Sequence, residues 1–66
     1  MSETKTVLLV EDNKDLNNIN SRALWLSGYR VLTALTLAEA REHLSRCEPD
    51  AIILDILLPD GSGVDF

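Results

Sequence analysis

The 66-residue sequence predicts an α/β fold built on a parallel sheet. Three observations carry that prediction. The runs Val7-Leu8-Leu9-Val10 and Ala51-Ile52-Ile53-Leu54 are continuously apolar, without the alternation of a half-solvated strand, which suits strands covered on both faces. Segments with helical periodicity separate the strand-like runs, giving the order strand, helix, strand, helix, strand, and such alternation argues for parallel strands joined by right-handed crossovers. Both apolar runs also end on acids, Glu11-Asp12 after the first and Asp55 after the other.

The first helix is expected over roughly Lys14 to Ser27. Leu16, Ile19, Ala23 and Leu24 recur at helical spacing and predict one apolar stripe. Asp12 or Asn13 can cap its start by accepting from free backbone amides, and Gly28 can end it in the left-handed conformation. Tyr29 to Leu35 reads as the second strand, centred on Val31 and Leu32. Thr36-Leu37-Ala38-Glu39 has capping-box spacing, in which the Thr36 hydroxyl accepts from the Glu39 amide and Glu39 reaches back. The helix that follows places Leu37, Ala40 and Leu44 on one face, and Pro49 cannot continue it. After the third strand, Leu58 to Gly63 is turn chemistry, and Val64-Asp65-Phe66 begins a further element. Phe66 reads as the start of a core helix.

Composition narrows the function classes. The net charge is -5, and the six basic residues, Lys5, Lys14, Arg22, Arg30, Arg41 and Arg46, are scattered. Nucleic-acid binding needs clustered cations to displace phosphate counterions, so no direct nucleic-acid binding by this segment is expected. No apolar run approaches the roughly 20 residues of a membrane span, and Met1 to Thr6 carries no signal-peptide stretch. Cys47 is the one cysteine, which excludes an intrachain disulfide and fits a reducing, cytoplasmic location.

The chemistry lies in the acids. Parallel strands point their carboxyl ends to one edge, and neighbours lie about 4.8 Å apart. If the first and third strands are neighbours, Glu11, Asp12 and Asp55 converge where open α/β sheets bind ligands. Three like charges raise one another's pKa values and are stable beside a divalent cation. Oxygen-only ligands favour Mg2+. A carboxylate held beside that ion can attack a phosphoryl group to form an aspartyl phosphate.

The motifs Leu9-Val10-Glu11-Asp12, Gly28-Tyr29-Arg30-Val31, Thr36 through Ala40, and Pro49 through Gly63 together resemble the receiver domains of two-component response regulators. The resemblance spans essentially the whole chain, and several separated motifs agree in order and spacing. It implies a flavodoxin-like parallel sheet of which this chain carries the first three strands in the order 2-1-3. It also implies Asp55 as the phosphoacceptor and Asp12 as a direct Mg2+ ligand. Glu11 would act on the metal largely through water, and the Leu57 backbone carbonyl would be a further ligand. Pro59 and Gly63 would shape the following loop, and a sensor histidine kinase would donate the phosphoryl group. A complete receiver is about twice this length; its fourth strand brings a Thr or Ser and its fifth a Lys, and no residue here takes either role. The expectation is therefore a partial receiver over residues 1–66 that is not an enzyme on outside substrates.

Ending after the third strand leaves that strand's outer edge unpaired, which invites self-association, with Ile53 at its centre. Trp25 falls nearly opposite Leu16 and is expected to be partly exposed beside Leu26, either as an amphipathic ring on the surface or as a partner contact. His43 reads as a solvated helix residue and Cys47 as semi-buried. Asp50, Asp60 and Asp65 read as turn and surface acids. Two other functions compete with signalling. One is a half-receiver that acts only as an interaction fragment. The other is a magnesium-dependent phosphatase with an Asp nucleophile, disfavoured because the position two after Asp55, where such enzymes place a second acid, is Leu57.

Overall fold

The computed structural model describes residues 4–54 and the backbone at 57–58 and 61–62. It contains β1 (Thr6–Val10), α1 (Lys14–Leu26), β2 (Arg30–Ala34), α2 (Leu37–Leu44) and β3 (Ala51–Leu54). β1 pairs in parallel with both β2 and β3, giving the sheet order β2-β1-β3. This is a flavodoxin-like arrangement in its first three strands. A small antiparallel ladder, β4 (Leu57–Leu58) with β5 (Gly61–Ser62), overlaps the stretch expected as turn, so Leu58, Gly61 and Ser62 are paired as short strands.

The central strand is covered on both faces, as its unbroken apolar run requires. Leu8 and Val10 are fully buried with Ala34, Leu37 and Ala40, and Leu32, Leu44 and Leu54 pack against that cluster. This is the α2 side of the sheet. Side chains alternate along a strand, so Val7 and Leu9 face the other way, and both are buried there on the side of α1.

The helix boundaries have local causes. Asn13 caps α1, its Oδ1 accepting from the Leu16 amide at 3.0 Å. Thr36 caps α2, its Oγ1 accepting from the Glu39 amide at 3.1 Å, while Glu39 Oε1 accepts from the Leu35 amide at 2.9 Å. Both halves of the predicted capping box are present, with the return bond on the residue before the cap. Gly28 takes φ 99°, the left-handed turn expected after α1. The strand predicted over Tyr29 to Leu35 is one residue shorter at each end, and α1 stops at Leu26 with Ser27 as its C-cap.

Three sequence expectations are corrected. Leu16 and Ile19, predicted to lie on α1's apolar stripe, are exposed, as is Ala23, and only Leu24 of that set is half-buried. α1 instead turns Asn17 inward, and Asn17 is its one buried residue. His43 is not a solvated helix residue: it is half-buried and its Nε2–H donates to the Thr33 carbonyl at 2.8 Å. That carbonyl lies on β2, the sheet's outer strand opposite β3, so α2 occupies two polar groups at this edge, Thr33 O through His43 and Leu35 N through Glu39. Cys47, expected to be semi-buried, is exposed.

Candidate functional site

The sheet register sets the site. Val10 lies level with Ala34 on one side and with Leu54 on the other, so all three strands end at one height. The residue after Val10 is Glu11, and the residue after Leu54 is Asp55. The parallel adjacency that the acid cluster requires is therefore present for the two strands that lead to it. Asp55, Pro59 and Gly63 lie outside the described residues, as do Asp60, Asp65 and Phe66. Leu57 is described only as part of β4.

Glu11 is 5% exposed, an unusual position for a carboxylate. Its Oε2 accepts from the Asn13 amide at 3.0 Å, and its own amide donates to the Ala34 carbonyl at 3.0 Å. The amino end of α1 thus sits beside it, where the helix dipole favours negative charge. Asp12, the next residue, is exposed. One acid is anchored into the fold and its neighbour faces solvent, an all-oxygen pair at the carboxyl edge of the sheet. That donor chemistry fits a hard divalent cation. Among the described residues no group of three potential metal ligands converges; the third carboxylate of the expected set is Asp55.

Asn17 is a residue that sequence reasoning missed. It is 4% exposed, and its Nδ2 donates to both the Glu11 and Ala34 carbonyls at 3.1 Å. The available signal was weak: Asn17 shares helical spacing with Ser21 and Leu24, but it sits in a polar stretch that reads as a solvated face.

The remaining candidates lie elsewhere. Trp25 and Leu26 are exposed at 66% and 67%, in keeping with the expected surface position. Trp25, Gly28, Tyr29 and Arg30 border a cleft of about 460 Å³ at the amino edge of the sheet, the end away from the acids. Ile52 and Ile53, which face opposite sides of β3, are exposed at 41% and 43%. Asp50 is bound to the start of β1, its Oδ2 accepting from the Thr6 amide at 2.7 Å.

A doubly wound α/β module with an acid pair at the carboxyl edge of its central strand is the class these observations define. The family model of the response regulator receiver domain matches residues 7–66, and the chain belongs to that family. It is 45% identical over 58 residues to the transcriptional regulatory protein PrrA of Mycobacterium leprae, covering 88% of this chain and 25% of that protein. It is 42% identical over 60 residues to the KDP operon transcriptional regulatory protein KdpE of Escherichia coli, covering 91% of this chain and 27% of that protein. The receiver domain (CheY-like) of a response regulator from Methylobacillus flagellatus superposes with a TM-score of 0.91 at 25% identity, covering 96% of this chain and 53% of that one. The chain thus spans about a quarter of these curated relatives and about half of that receiver structure. It is a receiver-domain segment of two-component signalling. Among the described residues, no helix is long and apolar enough to cross a membrane.

Proposed function

We propose that the chain is the phosphoacceptor part of a receiver, residues 1–66 forming a partial domain, with Asp55 taking a phosphoryl group in a Mg2+-dependent reaction. The observation that carries this reading is the parallel pairing of β1 with β3, level at Val10 and Leu54, which ends both acid-tipped strands at one edge. Asp12, Glu11, Asp55 and the Leu57 carbonyl would hold the ion, with Pro59 and Gly63 shaping the loop beside it. Bound there, Mg2+ supplies charge neutralisation between an anionic nucleophile and an anionic phosphoryl donor. Glu11, buried and fixed by the Asn13 amide, stands at the strand end, while solvent-facing Asp12 offers a direct oxygen ligand.

The donor by family chemistry is a phosphohistidine on a sensor histidine kinase. A carboxylate oxygen of Asp55 attacks phosphorus, the P–N bond breaks, and the imidazole leaves and takes up a proton. The chain assists its own modification and is not an enzyme on outside substrates. A cytoplasmic location accords with an intracellular kinase partner. Incubation with a small acyl phosphate and Mg2+ tests the reading. Intact-mass analysis should show one phosphoryl adduct that Asp55→Asn abolishes and EDTA prevents. An unmodified parent chain would favour the interaction-fragment reading instead.

A second observation bears on self-association. The outer edge of β2 is partly occupied by Glu39 and His43, whereas Ala51 to Leu54 carry no charge or proline, the usual guards of an exposed edge. Association of the 66-residue chain is therefore expected through β3. Sedimentation equilibrium should show a dimer that Ile53→Lys disperses; a cooperatively folded monomer sinks this part of the reading.

A further inference from the structure

Asn17 stands out among the buried groups because its position on α1 asks for an apolar side chain. The helix face that meets the sheet carries Asn17, half-buried Ser21 and half-buried Leu24, while Leu16 and Ile19 are turned away. Both hydrogens of the Asn17 amide have acceptors. One goes to Glu11 O on the central strand's extension and the other to Ala34 O at the end of β2, each at 3.1 Å. Ala34 O also accepts from the Glu11 amide, so three groups close a small network at the carboxyl edge.

The consequence falls on Asp12. A peptide unit is planar, so fixing the Glu11 carbonyl oxygen fixes the plane that also contains the Asp12 nitrogen and Cα. The Glu11 side chain is held independently, through Oε2 and the Asn13 amide. No hydrogen bond of Asp12's own side chain shares this task among the bonds described at the site. The direction in which Asp12 leaves the sheet is thereby set by a main-chain plane, and that plane is pinned by Asn17.

We propose that Asn17 is a positioning residue for the metal-binding acid pair, an inference that rests on the Mg2+ reading above. It touches neither the ion nor the phosphoryl group. It acts by holding the Glu11–Asp12 peptide against the end of β2, so that the solvent-facing Asp12 carboxylate leaves the strand tips in one direction instead of many. Groups that orient metal ligands from behind typically alter affinity by 10- to 100-fold when removed.

The test uses the 66-residue chain labelled with 15N, titrated with MgCl2 and followed at the Asp12 amide, with urea unfolding run on every variant. Asn17→Leu keeps the side-chain volume and removes both donors; Asn17→Ala replaces it if the leucine variant does not fold. Leu24→Ala, on the same helix face but remote from Glu11, controls for general loosening of α1. The expected result is a fall in Mg2+ affinity of about tenfold in the folded Asn17 variant, with Leu24→Ala close to the parent. In the absence of metal, the Asp12 amide of the Asn17 variant should also exchange faster than in the parent. A parent that binds Mg2+ and an Asn17 variant that binds it equally well overturn the inference alone. An equal loss in Leu24→Ala overturns it as well, by reducing Asn17 to a stabilising residue. A folded parent that shows no response to Mg2+ overturns the metal reading and this inference with it.

Discussion

The two helices flank one sheet but are attached to it by different physics. α2, with 8 residues, is held by apolar burial: Leu37 and Ala40 are almost wholly enclosed against Leu8, Val10 and Ala34. α1, with 13 residues, buries a single residue, and that residue is polar. Its Leu16, Ile19 and Leu26 are exposed and only Leu24 is half-buried, and its amino end is tied down by hydrogen bonds from Asn13 and Asn17 to the Glu11 segment. α2 supplies core. α1, which follows the acid pair, is tied to it by hydrogen bonds. Apolar contact is non-directional, whereas a hydrogen bond fixes an angle as well as a distance, and the proposed metal role of the acid pair calls for the latter.

That contrast can be broken most forcefully at its hydrophobic end. Leu37→Ala removes a side chain enclosed on all sides, and such truncations cost about 2–5 kcal/mol. Stability in a domain this small is marginal, so the variant should lose its cooperative urea transition by circular dichroism. The matching change on the other helix, Leu16→Ala, should stay within about 0.5 kcal/mol, because Leu16 is already exposed. Comparable losses for the two would show that α1 is packed by its apolar stripe after all. The caps provide a finer comparison. Thr36→Ala and Asn13→Ala each remove one acceptor from a helix amide and should each cost about 1 kcal/mol in urea unfolding. Only Asn13→Ala should also disturb the Glu11 resonances: the backbone N–H that donates to the Glu11 carboxylate survives the change, but losing the Oδ1–Leu16 bond loosens the turn that holds it in place. Equal spectral effects at Glu11 from both caps would erase the distinction between the helices.

Some of this was legible in the sequence and some was not. The element order, the central strand, the Thr36 cap with its Glu39 partner, and the Leu37–Ala40–Leu44 face all follow from patterns that repeat at the period of the local structure. The acid-tipped strands were equally visible, because an apolar run that stops on a carboxylate needs no partner to be recognised. The inward face of α1 is hidden from the sequence for a related reason. Leu16, Ile19, Ala23 and Leu24 do form a helical stripe, but periodicity reports that a face exists and not which way it is turned. His43 reads as solvated in the sequence because nothing in its neighbours along the chain reveals the Thr33 carbonyl at the sheet edge.

Local sequence was enough to place the strands and helices, their starts, and an acid directly after each of two apolar strand runs, since each depends on neighbours within a few residues. The strand order 2-1-3 follows the family resemblance and is borne out, whereas folding alone made Val10 and Leu54 stand level and turned Asn17 inward to join Glu11 to Ala34. Those outcomes depend on carbonyls and side chains far apart along the chain, whose directions are set only when the strands pack. A polar residue on a helix has no inward or outward sense until a backbone acceptor elsewhere gives it one.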